Sequence, residues 1–230
     1  MLNIEAIPVI EQARRLKNLM ALQGVPLPLD DSFIRAVPVL NERLLVTPKL
    51  SLWSRAPIEP ERRDWSEYNR ALAWLDHFRQ DGAFRLEDHL AEAAHGIDHG
   101  PRFHHLRPET AAAHAALECA HPGDFIVWRL DLDPDALCVG LAPDDALDRI
   151  LGMGRIPLDP IALLCLLHTH PGVREQMPWL DALGAEVGYK GEGRFDHVPF
   201  LDCRISCVNA DWNWKKLARP FRIALCAYAP

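Results

Sequence analysis

The seven apolar residues from Ile161 to Leu167 constrain this chain more than any other stretch; Asp159-Pro160 introduces them and His168-Thr169-His170-Pro171 follows. Aspartate caps a helix by accepting backbone N–H groups, and proline suits the first helical position because an N–H there would have no partner. The helix so begun, 161–168, is apolar all round and has to be enclosed on nearly every side. Only a layered domain with a sizeable core does that. With 49% hydrophobic and 25% charged residues in 230, the chain has the apolar surface to build one.

The neighbouring elements follow from period and punctuation. Pro143-Asp144-Asp145 starts a helix that turns Leu147, Ile150 and Leu151 inward and stops at Gly152 or Gly154. Before it, 124–132 alternates as a strand with Ile126, Trp128, Leu130 and Leu132 on one face, and 137–140 reads as a short return strand. After it, 199–207 puts Pro199, Leu201, Cys203, Ile205 and Cys207 on one face of a half-buried strand. The run 222–228 is apolar on both faces, which predicts a central strand.

The first half is mainly helical. Val9, Ala13, Leu16 and Met20 share a face of a helix over 8–23, and further helices are expected at 30–37, 66–80, 86–95 and 108–119, with a brief strand at 44–46. Prolines 48, 57 and 60 make 48–64 an irregular connection, and 95–105 lacks a period and reads as loop. The expected fold is α+β: a mainly helical N-terminal half, and a mixed or antiparallel sheet packed on helices in the C-terminal half. It is expected to be a single domain, 1–230, whose natural subdivision is 1–47, the connection 48–64 and a body 65–230.

Several function classes are disfavoured. A formal charge of -7 argues against nucleic acid, whose phosphates need a basic face. No apolar run approaches the roughly 20 residues of a membrane span, and residues 1–19 lack the basic start and apolar core of an export signal. A cytoplasmic protein without a membrane partner is expected, its cysteines 119, 138, 165, 203, 207 and 226 reduced and without a Cys-x-x-Cys pair. Cys203 and Cys207, about 13 Å apart on a strand at roughly 3.3 Å per residue, are core residues.

Eight of the eleven histidines lie between 77 and 121, so metal binding needs weighing. His95, Asp98 and His99 stand at ligand spacing, and His104 or His105 can close a site for a divalent metal such as zinc. A second set is His168, His170 and Asp181, which resembles the signature of JAMM-type zinc hydrolases. There the His-x-His pair lies on a strand, whereas here it ends a helix, in which positions i and i+2 point about 200° apart. The serine of that signature is also missing, with Trp179 and Leu180 standing before Asp181. Arg155 is a candidate anion anchor beside a helix N-terminus. Trp212-Asn213-Trp214-Lys215-Lys216 can stack a ligand or a partner's surface, with Trp212 and Trp214 as the binding residues.

Taken in order, the Gln12-Ala13-Arg14-Arg15-Leu16 helix with Gly24-Val25, the strand 125–133, Pro143-Asp144-Asp145-Ala146-Leu147, Gly154-Arg155-x-Pro157-Leu158, the apolar helix ending in Pro171 and Trp212-x-Trp214 resemble a bacterial, mainly actinomycete, family of uncharacterised single-domain proteins. The likeness is strongest over 125–173 and leaves out 48–120. Around Ala162 and Leu163 the family tends to have an acidic residue and a glycine, which this chain lacks. The resemblance implies an architecture and no mechanism. The function expected is therefore a non-catalytic binding or interaction protein of the bacterial cytoplasm, with an unknown protein or small molecule as partner. The runner-up is a metal-dependent, hydrolase-like enzyme using the 95–105 histidines, or less so a JAMM-like centre at His168 and His170.

Overall fold

The computed structural model describes residues 7–22, 43–48, 84–85, 102–120, 125–130, 138–189, 196–203, 208–218, 222–224 and 226–227. Along them come α1 (Val9–Leu22), β1 (Arg43–Pro48), β2 (Phe84–Arg85), β3 (Arg102–Leu106), α2 (Pro108–Ala120), β4 (Phe125–Leu130), α3 (Pro143–Gly152) and β5 (Ile156–Pro157). Then follow α4 (Pro160–Thr169), α5 (Pro171–Gln176), β6 (Trp179–Asp181), β7 (Ala185–Tyr189), β8 (His197–Asp202), β9 (Val208–Trp214), β10 (Arg222–Ala224) and β11 (Cys226–Ala227). The fold is α+β, with a mixed main sheet.

The apolar helix is α4, and every residue from Pro160 to Leu167 is buried. It is enclosed because α1, β1, α5 and β8 all pack against it. The N-terminal elements thus share a core with the body. Gln12 of α1, fully buried, ties them further: the Val46 N–H of β1 donates to its Oε1 at 3.0 Å, and its Nε2 donates to the Ile7 carbonyl at 2.8 Å. A buried amide is tolerated because both ends are satisfied.

The main sheet is organised by one interrupted strand. β6 and β7 run along the same edge of β8 but are separated by the turn 182–184. Beyond them, β10 pairs parallel with β6 and β3 pairs antiparallel with β7, while β9 covers the other edge of β8 and carries β2. The turn bulges into the gap between β10 and β3, where it meets the chain at 157–159: Gly184 N–H donates to the Leu158 carbonyl at 2.9 Å. α3 lays Ala146, Leu147 and Ile150 on Leu183, Val198, Ala224 and Cys226. It ends as expected, with Gly154 left-handed at φ +69°.

Four expectations change. Residues 102–106 are not loop but β3, because β7 supplies a paired edge that the local pattern does not reveal. Residues 138–140 form a turn rather than a return strand, since β4 finds its antiparallel partner in β1. Of the strand expected at 199–207, the described part belongs to His197–Asp202 and 204–207 lie outside the described residues; Phe200 and Leu201 are both buried, so both faces of β8 are covered. The C-terminal run is not central in one sheet: β10 pairs with β6 and β11 with β5, so it passes from one sheet to another. The helices expected at 30–37, 66–80 and 86–95, and most of the 48–64 connection, lie outside the described residues. Among the described residues, no helix is long and apolar enough to cross a membrane.

Candidate functional site

The 157–159 segment, the 182–184 turn and the β3–α2 junction meet at one polar centre. Asp159 lies at its bottom with no solvent exposure. Its Oδ1 accepts from the Ile161 N–H at 2.8 Å and the Ala162 N–H at 3.2 Å, which caps α4. Its Oδ2 lies 2.9 Å from Nε2 of His114 on α2, itself 5% exposed. An ionised carboxylate is tolerated so deep only when donors surround it. A helix start, with its unsatisfied N–H groups and positive dipole end, supplies them.

A buried His–Asp pair supplies two members of a nucleophilic triad, and Cys165 lies six residues further along α4, nearly two turns. The thiol is not activated. Complete burial pushes its pKa well above the ordinary thiol value, and the Asp159 charge pushes it the same way. A protonated, enclosed thiol packs as an apolar group, so the pair serves to fasten α2 to the start of α4.

Toward the surface the same junction is cationic. Arg107 joins β3 to α2: its N–H donates to the Gly184 carbonyl at 3.0 Å and its Nε to the Leu183 carbonyl at 2.8 Å. Its Nη1 lies 3.5 Å from Glu186 Oε2, which Lys215 Nζ approaches to 2.6 Å. These three side chains are 12%, 18% and 16% exposed, so one carboxylate holds two largely desolvated cations. Of these three, Lys215 belongs to the Trp-x-Trp-Lys-Lys stretch noted in the sequence, whereas Arg107 and Glu186 were not singled out. The one local sign is that α2 starts behind an arginine instead of a Ser, Thr, Asp or Asn cap.

The sequence candidates distribute as follows. His95, Asp98 and His99 lie outside the described residues. His104 and His105 occupy consecutive positions of β3, opposite Val187 and Glu186, so the histidine-rich segment ends beside the cationic cluster. Trp212 and Trp214 lie on β9 opposite Pro199 and His197, and Lys215 follows directly. Arg155 is 8% exposed and points its Nη1 at Cys226 Sγ, 3.8 Å away, which encloses the guanidinium inside the fold.

His168, His170 and Asp181 are not brought together: among the described residues no three His, Cys, Asp or Glu side chains form a metal-holding group. His168 sits in the last turn of α4 with Nε2 3.3 Å from the Arg15 carbonyl, and Asp181 is buried on β6. His170 Nδ1 lies 2.8 Å from Thr169 Oγ1, whose own proton goes to the Cys165 carbonyl at 2.7 Å. The imidazole is therefore the donor, protonated at Nδ1. Arg15 completes this end by donating to the Thr169 carbonyl at 2.6 Å.

Burial, reinforced by the nearby Arg15 charge, lowers the His170 pKa to about 4; burial also lowers that of His168. Between about pH 4 and 6.5 the unfolded chain therefore binds the His170 proton and the folded chain does not. Stability is level above that window and falls as pH drops through it, by on the order of 2 kcal/mol at pH 4.5. Urea midpoints at pH 7 and 4.5 check this. His170→Gln should lose less stability between the two than the parent, and equal losses would assign the acid lability to other groups.

The chain matches no known protein-family model, no curated protein and no solved structure.

Proposed function

We propose that this protein binds a ligand without transforming it, in the bacterial cytoplasm, at the junction of β3, α2 and β9. The observation that carries this reading is the Arg107–Glu186–Lys215 cluster. Two cations on one carboxylate leave a net positive charge in a largely desolvated place, where electrostatic recognition is stronger than at an open surface. The end of the histidine-rich segment and the Trp212–Trp214 run reach the same part of the sheet by register. The groups that would do chemistry nearby have structural duties: Asp159 caps a helix, and the Cys165 thiol is held protonated.

Saturation-transfer NMR with mixtures of small metabolites tests the proposal. A binder should lose its signal in Lys215→Met and be recovered chemically unchanged after prolonged incubation with the protein. Conversion of the bound compound would overturn the reading. So would near-stoichiometric zinc uptake by untagged protein that His104→Ala/His105→Ala abolishes, since that favours the metal-dependent enzyme.

A further inference from the structure

The binding reading leaves the ligand's chemistry open, and the first turn of α2 narrows it. Arg107 directs Nε and Nη1 to Leu183 and Glu186, but its Nη2 is shielded from solvent and has no hydrogen-bond partner. Three residues on, Thr110 is completely buried, and its Oγ1 also has no hydrogen-bond partner. Buried donors and hydroxyls are nearly always satisfied, each unsatisfied one costing about 1–3 kcal/mol. Two of them within one turn therefore point to a missing acceptor.

Their position says what kind. The Ala111 N–H closes the first turn of α2 onto the Arg107 carbonyl at 2.9 Å, so Arg107 stands where a capping acceptor normally sits. It brings no acceptor, and the N–H groups of Glu109 and Thr110 head a helix of 13 residues without a side-chain cap from it. The Cα–Cβ bonds of a helix tilt toward its N-terminus, so the Thr110 side chain leaves the backbone toward this same end. The first turn of α2 thus offers a guanidinium nitrogen, a hydroxyl and the positive end of a helix dipole. Lys215 stands on the other side of Glu186, which is already shared between two cations. Asp159, below the junction, is committed to the first N–H groups of α4 and to His114, and the exposed Pro108 and Glu109 form the solvent side of the turn.

We infer that the N-terminus of α2, with Arg107 and Thr110, binds the oxyanion group of a small ligand, a phosphate or a carboxylate. This rests on the binding reading and adds the ligand class. Inorganic phosphate and acetate serve as probes, each titrated into the full chain at constant ionic strength against chloride while the melting temperature is followed. A saturable rise at low millimolar concentration is expected with at least one of them, and which one separates the two sources. Thr110→Val keeps the shape and removes the hydroxyl. It should be as stable as the parent, or more so, in chloride, yet bind the probe on the order of tenfold more weakly. Arg107→Lys should weaken it similarly while keeping the charge.

A rise that never saturates and is the same in Thr110→Val would be general salting-out, and would overturn the inference. A metabolite bound in the NMR screen that is neutral, and indifferent to Thr110→Val, would also overturn it while leaving the binding reading intact.

Discussion

Gly184→Ala is expected to cost about 3 kcal/mol or more and to lower the melting temperature by roughly 10 °C, a large effect for one methyl group. A Cβ at this position would meet Pro157 O and Asp159 N at 2.7 Å and Leu158 C at 2.8 Å. All three are backbone atoms, so no side-chain rotation relieves the clash. Nor can the segment easily withdraw. Leu158 accepts the Gly184 N–H, and Asp159 is committed to the start of α4 and to His114. The turn itself is held from the other side by Arg107, on both the Leu183 and Gly184 carbonyls. The substitution must therefore pry apart the three segments that form the candidate site. Urea unfolding with an unchanged m-value measures the cost, and a loss under 1 kcal/mol would mean that 157–159 yields more readily than this geometry implies.

Asp159→Ala should cost about 4 kcal/mol. Losing a helix cap accounts for roughly 1 kcal/mol. The larger share comes from His114, which is left buried without its carboxylate; breaking a buried pair from one side costs on the order of 3–5 kcal/mol. This mechanism makes a sharper statement than the total. In His114→Phe the carboxylate loses its partner but keeps its two backbone donors, so this change should be the milder one. The double variant should then be more stable than the sum of the single losses predicts, with a coupling of at least about 1 kcal/mol. Additive losses would reduce the pair to two independent buried groups. Asp159→Asn separates the parts further, since an asparagine still caps α4 but carries no charge toward His114.

What could be read in advance divides along physical lines. Local punctuation was reliable: Asp159-Pro160 and Pro143-Asp144-Asp145 start α4 and α3, and Gly154 adopts the positive φ its place after α3 suggested. Those signals act within a few residues, through hydrogen bonds and dihedral limits that the sequence displays directly. Strand edges were less legible. The residues of β3 carry no clear alternation, and it is β7, some 80 residues later, that makes them a strand. The same holds for 138–140, since β4 takes its partner from far upstream.

The candidate site shows the contrast most clearly. The histidines stood out because their residue type is chemically versatile, but type alone says nothing about convergence. His168 and His170 each found a separate hydrogen-bond partner at a helix end. Arg107, Glu186 and Lys215 are ordinary surface residue types, separated by up to 108 positions in the chain, and although Lys215 follows the Trp-x-Trp pair, no local pattern links the three.

By itself, then, the sequence determined that one helix must be enclosed on all sides and where that helix begins, because an apolar surface and a cap are properties of consecutive residues. The tertiary structure decided what encloses it, and that the aspartate of its cap would also hold His114. It also decided that a glycine 25 residues later would let a turn close against the same segment. These depend on which distant backbones approach within 3 Å, and no local pattern encodes that.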